Sequence, residues 1–448
     1  MTVDSVLNNA KVYLKQDIVE CSLAIEEGKI FKIGKEVNMP KADEKLDLHN
    51  LLVLPGLIDA HVHLRDEAKA YKETFLTGTA AAAAGGFTTV LDMPNNTPVT
   101  MSAEALQNRT RLARRSILVN VGFYSEFPSK LAEVKDIVAL GAVGFKLFMA
   151  EQVGGLVIDD DEALKEAFRK LADLAVPVAV HAEDHNCLKK NVEKFRLNKQ
   201  DKIRDFLKAH NEEVEYMAVK RLLDINLQVH NKLHFCHLST KKALHAVAEA
   251  KHLNQKVTCE VTPHHLLLTK DSYEELGVKA LTVPPLRSKE NMEALWEGIK
   301  ENTVDTVGSD HAPHTLEEKE SNSIWEVKAG VPGLETTLPL MLTLVHKKQL
   351  SLDKVVQLLA ERPAGIFGLK DRGVMEQGKN ADLVVIDFNK CFNIEAAKFH
   401  SKAKFSPFNG WEVKGKPVKT FVNGQLVMDE QEIVAKPGCG HVVRRVQI

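Results

Sequence analysis

The sequence predicts an α/β protein, a (β/α)8 TIM barrel with a small β-sandwich formed by the N- and C-terminal segments. Three observations carry this expectation. Eight short β-rich runs alternate with amphipathic or Ala/Leu-rich segments through the middle of the chain, as repeated parallel βαβ units do. Both ends of the chain are instead strand-rich and punctuated by turn signals. Histidines and other ligand-type side chains fall where the apolar runs end, and a barrel gathers its strand ends at one face.

In chain order, residues 1–54 hold short alternating strands, as in LAIEEGKIFKIGKEV, and form the first part of the sandwich. Residues 55–373 form the barrel. Its strands are expected at LIDAHVHL (57–64), TTVLDMP (88–94), ILVNVGFY (117–124), VGFKLFM (143–149), VPVAVHAE (176–183), KLHFCHLS (232–239), KVTCEVTP (256–263) and VDTVGSDH (304–311). Segments such as DEALKEAFRKLADLA and EYMAVKRLLDIN supply the intervening helices, and the alanine run at 80–84 reads as a helix face packed closely on a sheet. Residues 374–448 complete the sandwich with ADLVVIDF and VKTFVNGQLVMDEQEI, where Asn423-Gly424 signals a hairpin.

Bulk properties narrow the function. The 448 residues are 44% hydrophobic and 27% charged, with a formal net charge of −2 and no long block of either sign. That gives no electrostatic footprint for nucleic acid or a membrane surface. No stretch approaches the roughly 18 apolar residues that span a bilayer. The opening MTVDSVLNNAKVYLKQD lacks a basic segment followed by an apolar one, so no signal peptide is expected. The six scattered cysteines read as reduced thiols of a cytoplasmic protein.

The chemistry starts at His61-x-His63, at the end of the first barrel strand. Residues i and i+2 of a strand face the same way, so both imidazoles can share one metal. Alone, such a pair also occurs by chance on a half-buried strand. Here His181 ends strand five, His237 strand six and Asp310 strand eight, while Lys146 lies in strand four. Six such groups on five strands of one barrel converge on one metal site. Lys146 beside metal cations would lose its proton readily. The neutral amine can then take up carbon dioxide as a carbamate, an anionic oxygen ligand able to bridge two metals. The competing reading is a lysine ion-paired with Asp310 or Glu183 in a metal-free site.

The chain resembles the amidohydrolase superfamily and, more narrowly, the dihydroorotases, over nearly its whole length. The motifs are PGLIDAHVHLRD, YKETFLTGTAAAAAGGFTTVLDMPNN, GFKLFMA, HAED, CHLST, EVTPHHLLLT, SDHAPHTLEEKE, GVPGLETTLPL, RPAGIFGL, ADLVVID and SPFNGWEVKGK. The resemblance implies one zinc on His61, His63 and Asp310 and a second on His181 and His237, bridged by carboxylated Lys146 and a hydroxide. It implies that Asp310 is also the catalytic acid/base. The substrate carboxylate is then expected to meet Arg65, Asn95 and His314, with backbone groups near Ala329 and Gly330 against the ring. Without the resemblance, Arg65 also reads as a rim ion pair with Asp66 or Glu67, and His314 as a loop-capping residue.

The implied reaction is the reversible opening of dihydroorotate to N-carbamoyl-L-aspartate in pyrimidine biosynthesis, by a homodimer. One position departs from the family: where relatives carry Asn before the paired prolines of a PPLR segment, Val283 stands here. Dihydropyrimidinases and allantoinases are the nearest alternatives. The former place a tyrosine five residues after the carboxylated lysine, where this chain has Glu151. A scaffold that has lost its metal ligands is opposed by all six positions being filled. Gly154-Gly155 marks 150–160 as a candidate loop over the substrate.

Overall fold

The computed structural model describes residues 2–445. Its central sheet has eight parallel strands that neighbour one another in chain order: β1 (Leu57–Val62), β2 (Phe87–Asp92), β3 (Asn120–Glu126), β4 (Gly144–Phe148), β5 (Val178–His181), β6 (Leu233–Phe235), β7 (Val257–Val261) and β8 (Thr306–Val307). A parallel bridge between Val62 and His311, with His63 N–H donating to the His311 carbonyl at 2.8 Å, joins the last strand to the first. All eight expected strands are present.

Each hydrogen-bonded ladder is shorter than the apolar run that announced it, and the trimmed residues are mostly at the C-terminal end. His63, His237 and Asp310 lie beyond their ladders, and His237 and Asp310 adopt φ of 36° and 47°. These left-handed turns swing the side chains out of the strand and over the barrel mouth. For non-glycine residues this conformation is strained and persists where surrounding structure enforces it, most often at functional sites.

The barrel interior is layered. Ile58, Leu91, Tyr124, Val143, Ala179 and Phe367 form an apolar lower layer, which Val443 of the C-terminal tail joins. The tail is tied there by two backbone bonds to Val121, one from the Val121 N–H to the His441 carbonyl and one from the Val443 N–H to the Val121 carbonyl, both 2.9 Å. Above this layer the interior becomes polar, with buried Lys146, His61, His181 and Glu260. An apolar floor beneath a polar mouth places the chemistry at one end of the barrel.

The chain ends form one nine-stranded mixed sheet. Thr2–Leu14 pairs antiparallel with Asp17–Glu26 and parallel with Lys41–Asp47 and Leu52–Pro55. Leu52–Pro55 then pairs antiparallel with Leu383–Asn393, which joins the two ends. Leu7, Val12 and Leu23 pack there with Leu383, Val385 and Phe421 in a core separate from the barrel's. In the C-terminal hairpin, Val422 faces Gln425 across Asn423-Gly424, at φ 49° and 80°, the doubly positive pair of a two-residue turn that Asn-Gly adopts cheaply. The helix Phe75–Ala84 carries the alanine run, with Ala80 to Ala84 all buried. Thr420 Oγ1 donates to the Ala83 carbonyl at 2.7 Å, an approach that larger side chains would block. All six cysteines are free thiols, and no helix among the described residues is long and apolar enough to cross a membrane.

Candidate metal centre and substrate cavity

His61, His63 and Asp310 come together at the mouth with ligand atoms within 4.8 Å of one another. Asp310 Oδ1 lies 3.3 Å from His61 Nε2 and 3.3 Å from His63 Nε2. Burial alone would raise the Asp310 carboxyl, but the neighbouring His61 and His63 outweigh it and hold it well below the usual range. His181 Nδ1 lies 3.0 Å from His237 Nε2, and the His61 and His237 rings are 5.2 Å apart. Lys146 is fully buried between these groups, its Nζ 3.1 Å from Cys236 Sγ and 5.0 Å from the centre of the Phe148 ring. Among the described residues it pairs with neither Asp310 nor Glu183, the partners of the metal-free reading.

The donor set suits divalent metal ions. Four buried imidazoles and one carboxylate share a small volume, and a lone amine sits where an anionic bridge would balance the charge. The outer nitrogens of three of these imidazoles are held by fixed partners. His61 Nδ1 donates to Glu260 Oε1 at 2.8 Å, and His63 Nδ1 donates to Asn95 Oδ1 at 2.8 Å. His181 Nε2 donates to Glu183 Oε2 at 3.1 Å, and the other Glu183 oxygen accepts from His210 Nδ1 at 2.8 Å. Once the rings are neutral, as metal binding requires, these partners keep the proton on the outer nitrogen and leave the lone pair facing the cluster. Glu260 stays ionised against complete burial, its pKa lowered to about 2 by His61 and His234.

Glu260, Glu183, His210 and Cys236 were not singled out as site residues from the sequence. The signal was present at Glu260, the one carboxylate inside the apolar run KVTCEVTP. Because Glu260 fixes the His61 ring, Glu260→Gln is expected to weaken metal binding by about 10–100-fold. Competition with a chromophoric chelator measures it, and unchanged affinity would remove Glu260 from the orienting role.

A cavity of about 330 Å³ opens on these ligands, lined also by Arg65, Asn95, Phe148, Ala150, Glu151, Leu188, Val283, Ala312, Ala329 and Gly330. Arg65 is buried and makes no ion pair among the described residues, and its Nε has no hydrogen-bond partner there. The rim ion pair weighed from sequence does not form. Asp66 instead caps the backbone N–H groups of Glu67 and Phe75, and Glu67 binds Arg109 at 2.7 Å. Arg109, held by Asp92, also donates to the Arg65 carbonyl at 3.1 Å and fixes its φ of 54°.

Asn95 gives its oxygen to His63, which leaves its NH2 for the cavity. Gly330, at φ 137°, has its N–H on the Leu281 carbonyl at 2.8 Å, and a Cβ there would lie 2.6 Å from the Ala312 carbonyl oxygen. No side chain fits, so backbone lines that wall. His314 does not line the cavity but borders its wall: a Cβ at Gly330 would lie 3.1 Å from His314 Cδ2, and His314 Nε2 is 3.5 Å from Arg65 Nη2. The segment proposed as a loop over the substrate divides in two. Ala150 and Glu151 line the cavity, but Leu156 and Ile158 are buried and Gly155 N–H is tied to the Phe127 carbonyl at 2.8 Å.

A closed parallel barrel with imidazoles, a carboxylate and a buried lysine at its mouth defines a metal-dependent hydrolase. The Amidohydrolase family matches residues 52–427, and the chain belongs to that family. A dihydroorotase of Methanothermobacter thermautotrophicus is 39% identical over 93% of each chain, and one of Pyrococcus horikoshii is 37% identical over 97% of this chain and 94% of its own. Among solved structures, an L-hydantoinase (dihydropyrimidinase) from Arthrobacter aurescens superposes with a TM-score of 0.94 at 31% identity, covering 99% of this chain and 100% of the other.

Proposed function

We propose that the chain is a dihydroorotase, interconverting dihydroorotate and N-carbamoyl-L-aspartate. The observation that carries this reading is Arg65, a buried guanidinium on the cavity wall beside the cluster, with no carboxylate partner among the described residues. Such a group calls for an anionic substrate, and a planar fork binds a carboxylate bidentately. The superposed hydantoinase shares the fold, so fold alone does not choose the substrate.

His61, His63, Lys146 as its carbamate, His181, His237 and Asp310 would hold two zinc ions. Bound there, the metals would make a water acidic near neutral pH and polarise the ring carbonyl. Everything else falls to the chain itself. Arg65, with Asn95 and His314, seats the carboxylate and so fixes where the ring lies. Backbone at Ala329 and Gly330 borders the ring, and apolar Val283, Leu188 and Phe148 exclude bulk water. Val283 offers no hydrogen bond, so the ring's amide edge is read by backbone groups. Asp310 takes the proton of the attacking water and delivers it to the leaving amide nitrogen, and the roles reverse in ring closure. The family resemblance supports a homodimer working in the cytoplasm.

Metal-replete protein is expected to reach the same equilibrium mixture from dihydroorotate and from N-carbamoyl-L-aspartate. Product analysis from both sides checks this, and failure to close the ring from the carbamoyl acid would refute it.

A further inference from the structure

His314 carries a constraint beyond the contact assigned to it above. A guanidinium only donates, so the approach of Arg65 Nη2 to His314 Nε2 at 3.5 Å places the lone pair on Nε2 and the proton on Nδ1. Glu318 Oε2, 3.0 Å from Nδ1, is the acceptor for that proton. The ring is neutral, because burial and then the cations of Arg65, Lys72 and Lys319 press its pKa down to about 2. In this tautomer Nε2, the nitrogen beside Arg65, has no proton to donate to a substrate carboxylate, which only accepts.

Nδ1 has a second neighbour that suits the opposite tautomer. Lys72 is buried with its Nζ 3.1 Å from Nδ1. Glu318 Oε1 holds that ammonium at 2.7 Å and also accepts from Tyr71 at 3.0 Å, while Thr315 N–H reaches Glu318 Oε2 at 3.3 Å. An acceptor and a donor for one ring nitrogen are therefore both in place, and Glu318 anchors the donor.

We propose that Lys72 is a positioning residue for carboxylate recognition: with a substrate carboxylate against Arg65, Lys72 donates to His314 Nδ1 and the ring presents Nε2–H to the anion. The Nδ1 proton is released to solvent water and water delivers one to Nε2, while Lys72 and Glu318 keep their charges, so none is taken up overall. The switch adds no positive charge beside Arg65 and Lys72, which protonating the ring would do. The inference rests on the dihydroorotase reading, since it needs a carboxylate on the substrate.

Steady-state kinetics on dihydroorotate with wild type, Lys72→Met and Lys72→Arg provide the first test. Lys72→Met is expected to raise KM about tenfold, the scale of one charge-assisted hydrogen bond, with kcat within about twofold. Lys72→Arg, still a donor, restores most of the loss. Calorimetric titration of metal-loaded wild type with orotate, in two buffers of different ionisation enthalpy, counts protons and is expected to find no net uptake. An unchanged KM in Lys72→Met overturns the proposal, as does a fall in kcat alone. Uptake of one proton also overturns it, because the ring would then donate as an imidazolium. Wild type that turns over hydantoin but not dihydroorotate overturns the function reading itself, and this inference with it.

Discussion

Asp310→Asn is expected to lower kcat by about 10²–10⁴-fold, the range a positioned acid/base contributes. Asparagine keeps the size of the side chain and accepts the left-handed backbone at φ 47° as readily as aspartate. The fold around His61 and His63 should therefore survive, although the metal-free variant should melt below wild type, because the buried carboxylate that His61 and His63 hold ionised is gone. What is lost is the carboxylate that takes and returns the proton. Metal analysis of the variant separates the two duties assigned to Asp310. A variant that binds two metals yet does not turn over isolates the proton transfer, whereas wild-type turnover would remove Asp310 from the mechanism.

Lys146→Met is expected to abolish turnover and to reduce bound metal below two per chain, for a different reason. Lys146 Nζ is fully buried, with Cys236 Sγ and the Phe148 ring as neighbours. A free ammonium there is costly, because burying an unpaired charge forfeits its hydration. As a carbamate the same side chain becomes an anionic ligand among imidazoles. In chelated protein, Lys146→Met melts at or above the wild-type temperature, since an apolar chain replaces an uncompensated amine. In metal-replete protein it melts below wild type, because bound metal stabilises only the chain that can hold it. Reloading wild type with metal should also require bicarbonate. Full metal content and activity in Lys146→Met would contradict the bridge.

The barrel was legible in the sequence because its strands are buried on both faces and read as continuous apolar runs, several of them carrying or ending near a residue too polar for that environment. His61, His181 and Lys146 could be placed from strand periodicity alone. Periodicity did not show that His237 and Asp310 leave their strands in left-handed turns, since those turns are imposed by what packs around the mouth. Pairing of Leu52–Pro55 with Leu383–Asn393 was not readable as a register either, because nothing local identifies a partner some 330 residues away. The same holds for His314, Lys72 and Glu318, whose contacts span 242 residues from Lys72 to His314. Charged residues inside apolar runs, such as Glu260, were the legible part of that network. Their partners were not, because side-chain pairing across a barrel is a property of the closed fold.

The central claim is that this mouth opens a cyclic amide whose ring bears a carboxylate. Parallel turnover of dihydroorotate, hydantoin and allantoin by metal-replete protein, with bicarbonate present, tests it most directly. Turnover of dihydroorotate is expected, with kcat/KM for the other two lower by about 10²-fold or more, as Arg65 would be left buried and unpaired. Preference for hydantoin or allantoin would contradict it, and would mean that Val283 and its neighbours shape the cavity for a neutral ring.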